Sequence, residues 1–207
     1  AGGEAVEVPA TGAAAVDVHL AAGAGSMWVD DGAAEDALLS GTVRLPGGGQ
    51  IDQSTETLGD TTTIEVKTTG VVILPIQFGT GEVWDIGLAS DPALQLSTDM
   101  GAGELHIDAR GLNLDSLEAS TGAGEVEVRV PAGASSVTLS AAVGMLTVRV
   151  PERTPVRLEA SSLAGNVEVP SGYERLDGAY FSPGFVAGNH IEIDASLVFG
   201  TISVIEE

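Results

Sequence analysis

Carboxylates are the residues of this chain best placed to do chemistry. Glu104 and Glu125 each stand one residue past a glycine, inside stretches that match position for position: Met100-Gly-Ala-Gly-Glu-Leu105 and Thr121-Gly-Ala-Gly-Glu-Val126. If those stretches are neighbouring strands, the two carboxylates stack about one strand spacing apart. Like charges that close raise one pKa, which is how an acid/base pair for glycan cleavage is made. Asp30-Asp31, Glu35-Asp36 and Asp85 are further candidates. The alternative is a solvated acidic edge, and Met145 and Asn166 break the glutamate column in the matching stretches that follow.

Other chemistries find weaker footing. Gly-Ala-Gly recurs at 23–25, 101–103 and 122–124, but a phosphate cradle needs a helix N-terminus or a lysine beside it. Strand-like sequence follows instead, and Lys67 is the only lysine. His19, His106 and His190 lie far apart with no second ligand at metal spacing, and the chain has no cysteine. No Gly-x-Ser-x-Gly elbow supports a serine nucleophile, and no Asp-x-Asp-x-Asp loop supports calcium. The sequence therefore assigns no catalytic residue, no metal ligand and no cofactor.

Recognition has better candidates. Trp28 and Trp84 are the two tryptophans. Each lies three residues past a recurring glycine, on the expected outward face, where an aromatic ring can stack on sugars or anchor a partner. Capping of a repeat end is the structural alternative. The stretch 171–190 holds Tyr173, Tyr180, Phe181 and Phe185, both tyrosines and two of the four phenylalanines. Aromatics gathered in a long loop can form a recognition surface, or can pack over an open flank.

The elements that position these residues are repeats. Leu94–Asp108, Leu117–Pro131, Val137–Pro151 and Val156–Pro170 are copies of one pattern, and a last copy runs over Ile191–Val204. Each reads as an alternating strand, a small-residue corner, a glycine and a second alternating strand. The glycines are Gly81, Gly103, Gly124, Gly144 and Gly165, spaced by 22, 21, 20 and 21, then Gly200 after 35. Gly25 opens a similar strand earlier. A stacked column of corners would need glycine for positive φ or close backbone approach. Two past the glycines, Val83, Leu105, Val126, Leu146, Val167 and Ile202 are expected inside. Asp108 and Arg129 share an outward position, which predicts an ion pair between rungs. Pro131, Pro151 and Pro170 stop the second strands.

These observations predict an all-β, single-domain β-solenoid of about seven or eight rungs of ~20 residues. Residues 1–60 form irregular N-terminal rungs and a cap, 61–170 the regular rungs, 171–190 the aromatic insertion and 191–207 the final rung. Only Gly32–Leu39 reads as a possible short helix. Thirty acidic against eight basic residues give a net charge of −22 in 207 residues. Binding nucleic acid or an anionic membrane through a basic surface is thereby excluded. The same charge predicts a monomer, or a weak dimer through an end. The longest apolar run, Val71–Ile76, is too short to span a bilayer. The chain begins Ala1-Gly2-Gly3 without Met, which predicts a trimmed or processed product whose anchor or export segment has been removed.

Gly101-Ala-Gly-Glu-Leu105, Leu117–Pro131 with its Ser-Thr-Gly-Ala-Gly-Glu-Val, and Leu146-Thr-Val-Arg-Val-Pro151 together resemble one known family. Gly172-Tyr173, Tyr180-Phe-Ser-Pro183, Gly200-Thr-Ile-Ser-Val204, Leu20–Gly25 and Leu38–Val43 extend the likeness over essentially the whole chain. The family is the toastrack domain of LiaF-type cell-envelope stress proteins, a group also labelled adhesins. The resemblance implies a non-enzymatic domain on the extracytoplasmic face of a membrane-anchored parent. It also implies a partner in the membrane, belonging to a two-component signalling system, or in the envelope. It carries over no catalytic residues.

Overall fold

The computed structural model describes residues 3–47, 49–70 and 81–207. The expected apolar run Val71–Ile76 lies outside the described residues. Thirteen strands make up one sheet: β1 (Glu4–Pro9), β2 (Ala15–Asp30), β3 (Ala37–Arg44), β4 (Gln50–Leu58), β5 (Thr61–Thr69), β6 (Glu82–Leu88), β7 (Ala93–Asp108), β8 (Leu114–Arg129), β9 (Ser136–Val150), β10 (Val156–Glu168), β11 (Glu174–Leu176), β12 (Ala179–Phe181) and β13 (Ile191–Glu206). Strand β3 begins inside the expected helix Gly32–Leu39, and no helix occurs among the described residues.

The long strands are each one rung. Alternating apolar residues favour extended chain, and the corner glycine bends it into two legs. In β7 the first leg buries Leu94, Leu96, Thr98 and Met100, and the second buries Leu105 and Ile107. Five residues, Ala109–Asn113, return the chain so that β8 lies parallel to β7, with Leu114 beside Leu94 and Arg129 beside Asp108. The two legs of successive rungs thus form two facing walls with the aliphatic core between them.

Glycine is required at the corners of the unbroken rungs. Gly25, Gly103, Gly124, Gly144 and Gly200 have φ between +132° and +154°, and each lies beside the next in the parallel ladder. A Cβ on Gly124 would stand 1.8 Å from the Gly103 carbonyl oxygen, and one on Gly144 1.7 Å from that of Gly124. Gly165 ends the column by close approach alone: its Cβ would meet the Gly200 oxygen at 2.1 Å.

Three expectations are corrected. First, Gly81 is not a corner. Gly25 pairs with Glu82, so Met27 aligns with Trp84. That one-residue offset exchanges the two faces of β6: Trp84 is fully buried and Val83 turns outward. Second, the region 61–170 is not uniformly regular. One rung is split into β5 and β6, which pair separately with the two legs of β2. Third, the segment 191–207 is the last rung in the chain but not in space. Strand β13 lies between β9 and β10, so the rungs stack as β5/β6, β2, β7, β8, β9, β13 and β10.

Antiparallel strands close the flanks. β4 covers β5, while β3 and then β1 cover β6. At the other end the aromatic insertion folds into the hairpin β11–β12, whose β12 pairs with Arg157, Leu158 and Glu159 of β10.

Candidate interaction surfaces

Outward residues of the second legs share one face. Trp28 of β2 and His106 of β7 are register partners. Their rings stack with centroids 5.5 Å apart and planes 14° from parallel. Trp28 is 43% exposed and stands over a depression of about 410 Å³ lined by Asp30, His106, Asp108, Glu127 and Arg129. An exposed indole beside carboxylates and a guanidinium offers an apolar platform with directional hydrogen-bonding groups around it. Trp84, the other sequence candidate, does not share this face.

The charged groups of the face pair differently from expectation. Asp108 is bonded to Arg110, at 2.6 and 2.8 Å, and not to Arg129. Hydrogen bonds from Arg110 hold the Asp108 carboxyl below its usual range. Arg129 turns to Glu127 at 3.0 Å and Glu207 at 3.3 Å, and Arg149 reaches the same two carboxylates. The short sequence step from Asp108 to Arg110 places a guanidinium beside it at less chain cost than the neighbouring rung does. Glu104 and Glu125 are register partners, as their matching motifs suggest. No group of three metal-ligating side chains occurs among the described residues. On the first-leg face His19 bonds Asp99 at 2.8 Å, and Ser120 donates to the same carboxylate. Burial raises the Asp99 pKa, but these two hydrogen bonds outweigh it and leave the group below the usual carboxylate range.

The aromatic insertion separates into two parts. Phe181 and Phe185 meet edge-on at 4.8 Å, and Phe185 lies 4.7 Å from His190. With Leu176 and Pro183 they line a depression of about 470 Å³. Tyr180 lies under Arg175 at 5.3 Å. Tyr173 turns inward against the core. Its hydroxyl is buried and finds no hydrogen-bond partner among the described residues. Burial, with the Glu206 carboxylate nearby, holds its ionisation above the ordinary tyrosine range. Trp28 on β2 is six strands away from β12, which carries Tyr180 and Phe181, about 29 Å at ~4.8 Å per strand, so the sequence candidates do not converge on one site.

Glu82 was missed from the sequence. It occupies the corner position of the split rung and is 1% exposed. Its carboxylate accepts from Trp84 Nε1 at 2.8 Å, from Thr68 Oγ1 at 3.0 Å and from the Gly23 amide at 3.1 Å. These donors offset the desolvation of a buried carboxylate. The available signal was a lone Glu-x-Trp at the point where other rungs carry Gly-x-aliphatic.

The stacked, corner-locked rungs define a toast-rack architecture, and the comparisons agree. The model of the N-terminal domain of toast_rack, also known as DUF2154, matches residues 2–149. The chain belongs to that family. A crystal structure from Clostridium sporogenes, described as a "putative cell adhesion protein", superposes with a TM-score of 0.87 at 20% identity, covering 99% of this chain and 98% of that one. It shows the fold alone. A "putative adhesin" from Bacteroides fragilis aligns over 98% and 95% of the chains at 12% identity, but its TM-score of 0.28 carries no argument. No curated protein sequence matches the chain.

Proposed function

We propose that the chain is a non-enzymatic interaction domain, displayed on the extracytoplasmic face of a membrane-anchored protein that responds to cell-envelope stress. The carrying observation is membership of the toast_rack family over residues 2–149, combined with the resemblance to LiaF-type proteins. The architecture suits such a role. A glycine column and a continuous core hold the two outward faces in place, so recognition costs little ordering. The partner on this reading is a membrane protein of a two-component system. The test is crosslinking in an envelope fraction with the domain as bait. Recovery of a histidine kinase or its membrane regulator supports the reading, and its absence from the crosslinked species refutes it.

A second reading is favoured by one observation, the Trp28–His106 platform. It makes the chain an adhesive module that binds envelope carbohydrate, a role consistent with the description of the Clostridium neighbour. Trp28→Ala should then abolish retention on wall glycan while leaving the melting curve unchanged. Retention equal to that of the unaltered chain would refute it.

A further inference from the structure

The two ends of the solenoid are finished differently. In the split rung the inward residues Ile64, Val66, Trp84 and Ile86 are all fully buried. At the other end, the penultimate rung β13 buries Ala195, Leu197, Ile202 and Val204 almost completely. In the terminal strand β10 and the residue after it, the matching positions Ala160, Ser162, Val167 and Val169 are only half-buried. Ser162 Oγ is enclosed yet has no partner among the described residues. The hairpin covers only Arg157–Glu159. From Ser161 to Glu168 one edge of β10 has no pairing strand among the described residues. A repeat stack is stable in water only when its end rungs are covered, and an open edge is a template for another strand.

A second feature coincides with that edge. The corners of the last three rungs, Ala141–Leu146, Leu197–Ile202 and Ser161–Val167, contain no charged residue. Val143, Met145, Val198, Phe199 and Leu163 are exposed there, Leu163 by 80%. Their counterparts in β7 and β8 are the first glycine, the alanine and the glutamate of Gly-Ala-Gly-Glu. Usual edge protections, a lysine or a proline, are missing between Ser161 and Glu168.

We infer that this end is an interface between two copies of the chain, joined by antiparallel pairing of their β10 edges. An antiparallel pair is self-complementary about a two-fold axis, so one edge suffices as both donor and acceptor surface. Charge also selects the end. Two molecules of net charge −22 meet with least repulsion at a neutral apolar patch. Measured along the chain around the Gly165 corner, the eight-residue edge is about 26 Å. Reaching the ~800 Å² that each partner gives to a stable interface requires the open core row and the apolar corner as well, and both adjoin the edge.

The test is sedimentation of the purified chain up to about 1 mM. A concentration-dependent dimer is expected, tightening as salt screens the mutual repulsion. Leu163→Glu should leave only monomer with an unchanged melt, while Leu58→Glu, at the covered end, should leave the dimer intact. The chain contains no cysteine, so single substitutions Leu163→Cys, Ala164→Cys and Asn166→Cys report the geometry. At least one should form a disulfide-linked dimer, and Leu58→Cys should not. A monomer at every concentration, a dimer indifferent to Leu163→Glu, or crosslinking no greater at β10 than at Leu58 overturns the proposal. All these readouts use the purified chain, so they stand or fall separately from the envelope crosslinking.

Discussion

Replacing Gly124 by alanine tests the physical basis of the fold at one atom. The new Cβ would sit 1.8 Å from the Gly103 carbonyl oxygen and 3.0 Å from the Gly103 nitrogen. Both are backbone atoms of a neighbouring rung, so no side-chain rotation relieves the clash. Gly124 also has φ +138°, a conformation that costs a residue with a Cβ about 1–3 kcal/mol. Forcing a methyl into a packed contact costs typically another 1–3 kcal/mol. Together these predict a loss of roughly 2–6 kcal/mol, a large part of the ~5–15 kcal/mol total for a domain. At about 2–4 °C per kcal/mol for this size, the melting midpoint should fall by some 4–24 °C. Gly133→Ala is the control, because a Cβ there meets nothing within 4 Å. Circular dichroism melts of the three chains read the result. If Gly124→Ala melts within about 2 °C of the unaltered chain, close approach is not why glycine occupies the corners.

Glu82→Gln should lose about 1.5–3 kcal/mol, since an amide cannot accept from Trp84, Thr68 and Gly23 together. Denaturant melts followed by tryptophan fluorescence measure this, and an unchanged midpoint would show the carboxylate to be dispensable. Tyr173→Phe should be neutral or slightly stabilising at pH 7, because it removes a buried hydroxyl without a partner among the described residues. Folding holds the Tyr173 ionisation above the ordinary range. Its protonated form is therefore favoured in the folded state, and stability falls as pH rises above about 10, where the unfolded tyrosine ionises. Tyr173→Phe should weaken that alkaline loss, and equal losses in both chains would contradict the buried placement. Asp99 behaves in the opposite sense. Its folded pKa is lowered, so its contribution is present above about pH 4 and fades on acidification; Ser120→Ala should shrink this acid-side loss in titrated melts.

The rungs were legible because two separate constraints repeat together. Period-two alternation marks the walls, and a glycine marks each place where backbone meets backbone. The same regularity hid the order of stacking. Strands β9, β10 and β13 carry interchangeable patterns, Met-Leu-Thr, Asn-Val-Glu and Thr-Ile-Ser after their glycines. Any of them can lie parallel to any other in register, so chain order alone did not reveal that β13 inserts between β9 and β10. The error at Trp84 has a sharper cause. Gly81 keeps the 22-residue spacing to Gly103, but the split rung aligns Glu82 with Gly25. A shift of one residue was enough to move an indole from the expected surface to the middle of the core. Trp28, set by a genuine corner at Gly25, kept its outward face.

Glu82 and the corner glycines solve the same problem by different means. A glycine lets two backbones touch with nothing between them. At the split rung Glu82 stands where the other rungs have a corner glycine, and its buried carboxylate joins the two legs by accepting from the indole in its own strand, the Thr68 hydroxyl of β5 and the Gly23 amide of β2. The split rung therefore needs three donors converging on Glu82 where the others need only the absence of a side chain. Substituting glycine at Glu82 would restore the repeat pattern but orphan Trp84 Nε1 in the core, at about 1–3 kcal/mol. The repeat sequence is consequently not the most stable sequence at every rung: where the chain departs from the column, polar satisfaction and not close approach decides the residue.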